Sequence, residues 1–252
     1  MRQHSIKPGT DLSGAELPGA NLTGDNLIHA DLRKANLEEA ELIGADLRHV
    51  KALDINLRHA RLIGADLRHA NLEYANLGDA NLRRADLRST ILRCATMVDA
   101  KLEGANLTGA VLETASMVDA SLNNANLTGA SLNHAVMFRA NLRGVNFEGA
   151  ELFKAELSQS NLRAANLTGA NLRSAILDEA DLSGACLAFA DLTDIDLSGA
   201  NLTGADLRGV DLNGADLREA NLTDANLSGA KTEGCDLTGA NLEGVKGYTP
   251  AG

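Results

Sequence analysis

The stretch ELIGADLRHV at residues 41–50 returns at residues 61–70 as RLIGADLRHA, eight of ten residues unchanged after an interval of twenty. Inside it a leucine falls every fifth residue, and that shorter beat keeps its register from Leu12 to Leu242. Six centres along the way are not leucine: Ala52, Met97, Met117, Met137, Phe147 and Thr232. Two residues before each centre stands a small residue, almost always Ala. Asn or Asp most often lies between them, and polar residues and Gly follow. The unit reads A-(N/D)-L-x-x.

Five residues turn an α-helix by about 500°, so successive leucines would step roughly 140° around its axis and form no stripe. The Asn, Asp, Gly and Thr in each unit are poor helix formers as well. A continuous strand fails because five is odd, which would send alternate leucines to opposite faces. A short extended leg followed by a corner resolves both conflicts. Ala and Leu, two apart, then point to the same inner side, and the corner restores the phase. A chain that turns the same way at every fifth residue coils into a solenoid.

The interval of twenty sets the number of legs per coil. TMVDA at 96–100 and SMVDA at 116–120 keep it, as do Met97, Met117 and Met137, ANLTGA at 105–110 and 125–130, and His29, His49 and His69. Residues stacked in neighbouring coils share an environment, so four legs make one circuit. The spacing predicts about twelve coils and, at the inter-strand distance of about 4.8 Å, a rod roughly 55 Å long. Expected divisions are an N-terminal cap segment at 1–11, the repeat at 12–245 and a C-terminal tail at 246–252.

The tandem A-(N/D)-L-x-x unit, over about residues 10–245, resembles the pentapeptide repeat family. The resemblance implies an all-β fold, a right-handed quadrilateral parallel β-helix solenoid with the centre leucine and the small residue inside. It also implies type II and type IV turns at the corners. Some relatives carry a C-terminal helical segment that makes a dimer; the tail VKGYTPAG is too short for one. The expectation is a monomer or an end-to-end dimer. In the first case short segments with Ile6, Pro8, Tyr248 and Pro250 lie over the open ends. Two inner positions depart from the unit. Asp25 replaces a small residue in the first coil, where a solvated end would tolerate it. Ala52 replaces a leucine, which predicts a local distortion in VKALDI with Leu53 turning inward.

Composition narrows the function. Aromatics are 2% of 252 residues and Trp is absent, yet 44% are hydrophobic, nearly all Leu and Ala. No leader-like start and no run of 18 apolar residues occurs, so neither secretion by a standard signal nor a membrane span is expected. Cys94, Cys186 and Cys235 are far apart and lack metal-ligand spacing, which points to a reducing cytoplasm and to no metal. The net charge of −11 argues against direct nucleic-acid binding. No catalytic set and no cofactor-binding motif stands out, so neither catalysis nor a cofactor is expected.

Three surface features invite a reading. The histidine ladder His29, His49 and His69 could approach a metal, but Arg48, Arg68 and Arg88 sit one residue before its steps or its next rung and would repel a cation; a repeated corner residue is the plainer account. An apolar group of Val98, Val118 and Phe138 with Ile91, Val111, Val136 and Phe153 is either a protein-partner patch or a local packing adjustment. The third is charge: residues 176–252 hold 14 acids against 4 bases, with Asp191, Asp196, Asp206, Asp211, Asp216 and Asp236 as a candidate acidic surface. A basic partner or general solubility would each account for it.

The function expected is a non-enzymatic rigid scaffold that binds a protein partner through stacked surface ladders. The alternative, implied by the family, is DNA mimicry that targets DNA gyrase or topoisomerase and protects from quinolones or toxins. Charge density weighs against it. DNA carries one charge per about 1.7 Å, so a 55 Å rod would need some 33 negative charges.

Overall fold

The structure is a computed structural model describing residues 6–248. Its repeating element is read most easily from one unit, Ala105–Asn106–Leu107–Thr108–Gly109. Ala105 and Leu107 are buried. Asn106, between them, faces outward and forms parallel bridges with Asp86 and Asn126, twenty residues to either side. Thr108 and Gly109 then make the corner, closed by Ala110 N–H donating to Leu107 O at 2.9 Å.

The backbone donors of this unit are all satisfied. Asn106 N–H reaches Ala85 O in the preceding coil at 3.0 Å, while Leu107 N–H and Gly109 N–H reach Asn126 O and Thr128 O in the next at 2.7 and 3.0 Å. Ala105 N–H closes the preceding corner on Leu102 O at 2.9 Å. Thr108 N–H would be left over, and the Asn106 side chain takes it, with Oδ1 accepting at 3.1 Å. That explains why Asn or Asp recurs at this position: it supplies the acceptor that the ladder cannot. The same bond recurs along the rod, from Ser13 N–H on Asp11 to Glu243 N–H on Asn241.

Bridges twenty residues apart run from Asp11↔Asp31 to Asn226↔Lys246, all parallel and each isolated, so the legs are single extended residues between corners. Four corners separate each bridged pair, which makes the circuit four-sided. Every fifth residue from Gly9 to Gly244 has φ between 54° and 75°. With the closing hydrogen bond and positive φ only at the second central residue, the corners are type II throughout. The type IV turns implied by the family resemblance are not found among the described residues, because one unit geometry repeats without variation.

The bore is filled by Leu and Ala, with Met97, Met117, Met137 and Phe147 fully buried at leucine positions. Each buried Leu contributes roughly 1.5–3 kcal/mol before chain entropy is subtracted. Thr90 replaces an inner Ala, and its hydroxyl is satisfied by Leu67 O at 2.8 Å. The distortion expected at VKALDI does not occur. Ala52 keeps the bore position, with its N–H on Asn71 O at 2.8 Å, and Leu53 stays half-buried at the corner. Val50 and Ile55, both buried, replace the flanking alanines and restore the volume that Ala52 gives up. The corner bonds closed by Val50 and Ile55 N–H are 3.3 Å, in line with other corners closed by a β-branched residue, such as Val210 at 3.4 Å.

At the ends Leu12, Leu17, Leu237 and Leu242 are only half-buried, and Ile6 and Tyr248 pack against the core there. Pro8 is exposed, and Pro250 lies outside the described residues. Asp25 is half-buried beside this open first end, as its charge requires.

Candidate functional site

The outward bridge residues define four faces. Face A carries Asp11 to Lys231, face B Glu16 to Asp236, face C Asn21 to Asn241, and face D Asn26 to Lys246, each at intervals of twenty. Corner residues stack in columns between them.

The apolar residues singled out from the sequence do not form one surface. Ile91 and Val111 bridge each other on face A. Val136 lies on face B, and Val98, Val118 and Phe138 form a column where face B turns toward face C. Phe153 opens the corner between A and B. All seven are half-buried rather than exposed. Basic side chains cover the two rings: Arg139 lies 5.0 Å above Phe138, held by Asp119 at 2.5 Å, and Lys154 Nζ lies 5.2 Å above Phe153. His134 meets Phe153 edge-on at 5.6 Å.

The large apolar side chains that are exposed are others. Phe189 is 71% accessible, Tyr74 55% and Ile176 42%. A search for apolar clusters passes over them because each stands alone. Their signal lies in the column: Phe189 interrupts a run of glycines, Gly109, Gly129, Gly149, Gly169, Gly209 and Gly229. Ile176 belongs to face B, two rungs from Val136, with Glu156 between them.

The acidic surface proves to be largely occupied from within. Asp206 and Asp216 hold Arg208 and Arg218 at 2.6 and 2.5 Å, and Asp211 holds Lys231 at 2.7 Å. Those cations keep the three carboxyls below the usual range. Arg218 also reaches Asp236 at 3.9 Å, which offsets like-charge stacking in the column Asp196, Asp216 and Asp236. Asp191, Asp196 and Asp236 each accept from a backbone N–H and a hydroxyl two residues on. The repeat's own hydrogen bonding therefore accounts for these acids at these positions.

His29, His49 and His69 stack with ring centroids 5.0 Å apart at each step, close to one rung. Their neighbouring arginines are not free charges, which corrects the repulsion expected from sequence. Arg48, Arg68 and Arg88 pair with Asp46, Asp66 and Asp86 at 2.6–2.7 Å, and Arg48 and Arg68 reach on to Asp66 and Asp86 at 3.6 and 3.5 Å. Face D thus bears a continuous ladder of alternating charge. Among the described residues no group of three or more His, Cys, Asp or Glu is placed to hold a metal ion. No helix among them is long and apolar enough to cross a membrane.

The class these features define is a loop-free parallel solenoid whose variable chemistry lies in surface columns. The chain belongs to the pentapeptide repeat family: the family model described as Pentapeptide repeats matches in eight copies between residues 8 and 246. Among solved structures it is similar to HetL, a pentapeptide repeat protein involved in heterocyst differentiation regulation from the cyanobacterium Nostoc sp. strain PCC 7120. That match has 33% identity, covers 96% of this chain and 90% of HetL, and has a TM-score of 0.30. It is also similar to Rfr23 from the cyanobacterium Cyanothece 51142, with 38% identity over 38% of this chain and 58% of that one, TM-score 0.25. QnrB1, a plasmid-mediated fluoroquinolone resistance protein, matches at 21% identity over 82% of this chain and 88% of its own, TM-score 0.40. No curated protein matches.

Proposed function

We propose that this protein is a non-enzymatic, right-handed rod of about twelve coils that acts in the cytoplasm as a protein-interaction scaffold, with face B as its contact surface. The observation that carries this reading is the half-buried apolar column Val98, Val118 and Phe138 at the edge of face B, beside Val136, with exposed Ile176 two rungs further along that face beyond Glu156. A cluster of apolar side chains at a surface is a common mark of a protein contact. The backbone beneath is satisfied by its own ladder, so recognition falls to side chains. DNA mimicry of gyrase is weakened by the internal pairing of Asp206, Asp211 and Asp216, which leaves fewer free charges than the composition suggests.

Two experiments test the reading. Val118→Asp with Phe138→Asp should abolish retention of a partner while leaving the circular dichroism spectrum unchanged; unaltered retention removes face B as the contact surface. In a supercoiling assay, micromolar protein should neither inhibit gyrase nor protect it. Inhibition would favour the mimicry reading instead.

A further inference from the structure

Phe189 is a residue that the fold does not ask for. It occupies the second corner position at φ 62°, in the left-handed region that costs an L side chain more than glycine, a cost that non-glycine residues such as Tyr74 bear at other corners too. The cost is not offset by burial, since the ring is 71% accessible. In the same column the four preceding coils and the two that follow all carry glycine, the residue this conformation favours. The ring lies along the following coil, where a Cβ on Gly209 would come within 2.8–2.9 Å of its edge. Gly209 therefore seats the ring, and a smooth glycine ridge carries one aromatic knob. An exposed aromatic standing alone in a glycine column offers a ready handle to a body outside the chain.

The surroundings indicate what kind of contact. Phe189 stands in the acidic third of the chain, two residues before Asp191 on face A. Residues 176–252 hold 14 acids against the 4 bases Arg208, Arg218, Lys231 and Lys246, so this third keeps a net negative charge even where Asp206, Asp216 and Asp211 are paired. Such a surface attracts a basic partner and repels an acidic one. A second copy of this chain, with a net charge of −11, is a poorer fit than a basic protein, because the like charges repel.

We propose that Phe189 is a docking anchor that inserts into an apolar pocket, rimmed by basic side chains, on a partner protein. This rests on the scaffold reading and adds a second contact point at the corner between faces D and A.

The first measurement needs no partner. Phe189→Gly should raise Tm by about 2–4 °C, because glycine suits this turn better than an L side chain; a lowered Tm would mean that the ring serves the fold, and the proposal fails. The second replaces Phe189, and separately Ile176, by p-benzoylphenylalanine in the full-length protein and irradiates the producing cells. An adduct at 189 with a basic protein is then followed with that protein purified. Phe189→Gly should weaken its binding at least tenfold, and raising salt from 50 to 300 mM should weaken it further. Adducts at 176 without any at 189 overturn the anchor and leave the scaffold standing. No adduct at either position removes both. An adduct between two copies of this chain, or binding indifferent to salt or to the glycine variant, also overturns the anchor.

Discussion

At the scale of the residue, the Asn or Asp of each unit is a backbone ligand before it is a surface group. Asn106 Oδ1 accepts from Thr108 N–H at 3.1 Å and from Thr108 Oγ1 at 2.6 Å. Asn106→Ala should therefore lower stability by about 1 kcal/mol, measured by denaturant unfolding. The converse holds at Val111, whose side chain offers Glu113 N–H no acceptor. Val111→Asn should stabilise by a similar amount, and a loss there would mean that the apolar contact with Ile91 outweighs the hydrogen bond. Cys235 supplies a residue-scale test of the open end. Burial, reinforced by Asp236 and Asp216, pushes its thiol up to about 11. Iodoacetamide at pH 8 should modify it far more slowly than an ordinary free thiol, with reactivity recovering as the pH passes 10.

At the scale of the coil, volume and charge are each balanced locally. The segment Val50 to Ile55 conserves core volume by trading a leucine for two larger flanking residues. Ala52→Leu alone should cost about 1–3 kcal/mol through overpacking. Combined with Val50→Ala and Ile55→Ala it should recover most of that loss, and calorimetry of the four combinations reads the coupling directly. The charge ladder on face D gives a pH dependence with a definite sign. Arg48, Arg68 and Arg88 hold the carboxyls of Asp46, Asp66 and Asp86 below the usual range, mainly through side-chain hydrogen bonds. A carboxyl whose folded value is depressed stabilises fully above its unfolded value of about 3.9 and loses that contribution as pH falls through the folded value. Asp66→Asn should thus be less stable than the parent at pH 7 by a few tenths to about 1 kcal/mol, as partly exposed pairs allow. The difference should close on titration toward pH 2 and shrink at high salt.

At the scale of the whole molecule, each coil touches only its neighbours, so stability should grow nearly in proportion to coil number. Removing residues 101–120, one full circuit, should leave a folded solenoid with an unchanged circular dichroism shape and a modestly lower Tm. Removing only 101–105 should also leave the bore intact, since every leg fills it alike. That shorter deletion turns the two halves against each other by one face, so it should abolish a contact that requires face B to be continuous. Equal partner binding by both variants would show that the surface columns do not act together.

The repeat, the four-sided circuit and the inner residues are legible in the sequence because bore positions recur at a fixed interval and tolerate little besides Leu, Ala and their near equivalents. His29, His49 and His69 are likewise legible as a stack, since residues twenty apart must be vertical neighbours. What the sequence does not disclose is how much of each outward side chain remains free. Phe138 and Phe153 look like open apolar surface until Arg139 and Lys154 are seen above them. Asp206, Asp211 and Asp216 look like an acidic field until Arg208, Lys231 and Arg218 are found paired with them. Phe189 looks like one corner residue among many until its accessibility is set beside its glycine neighbours. The backbone period is a local property that each unit enforces on the next, whereas exposure depends on which side chains lean across from the coils above and below. The amino-acid order by itself therefore decided the architecture of the rod, and only the tertiary structure decided which parts of its surface are left for a partner.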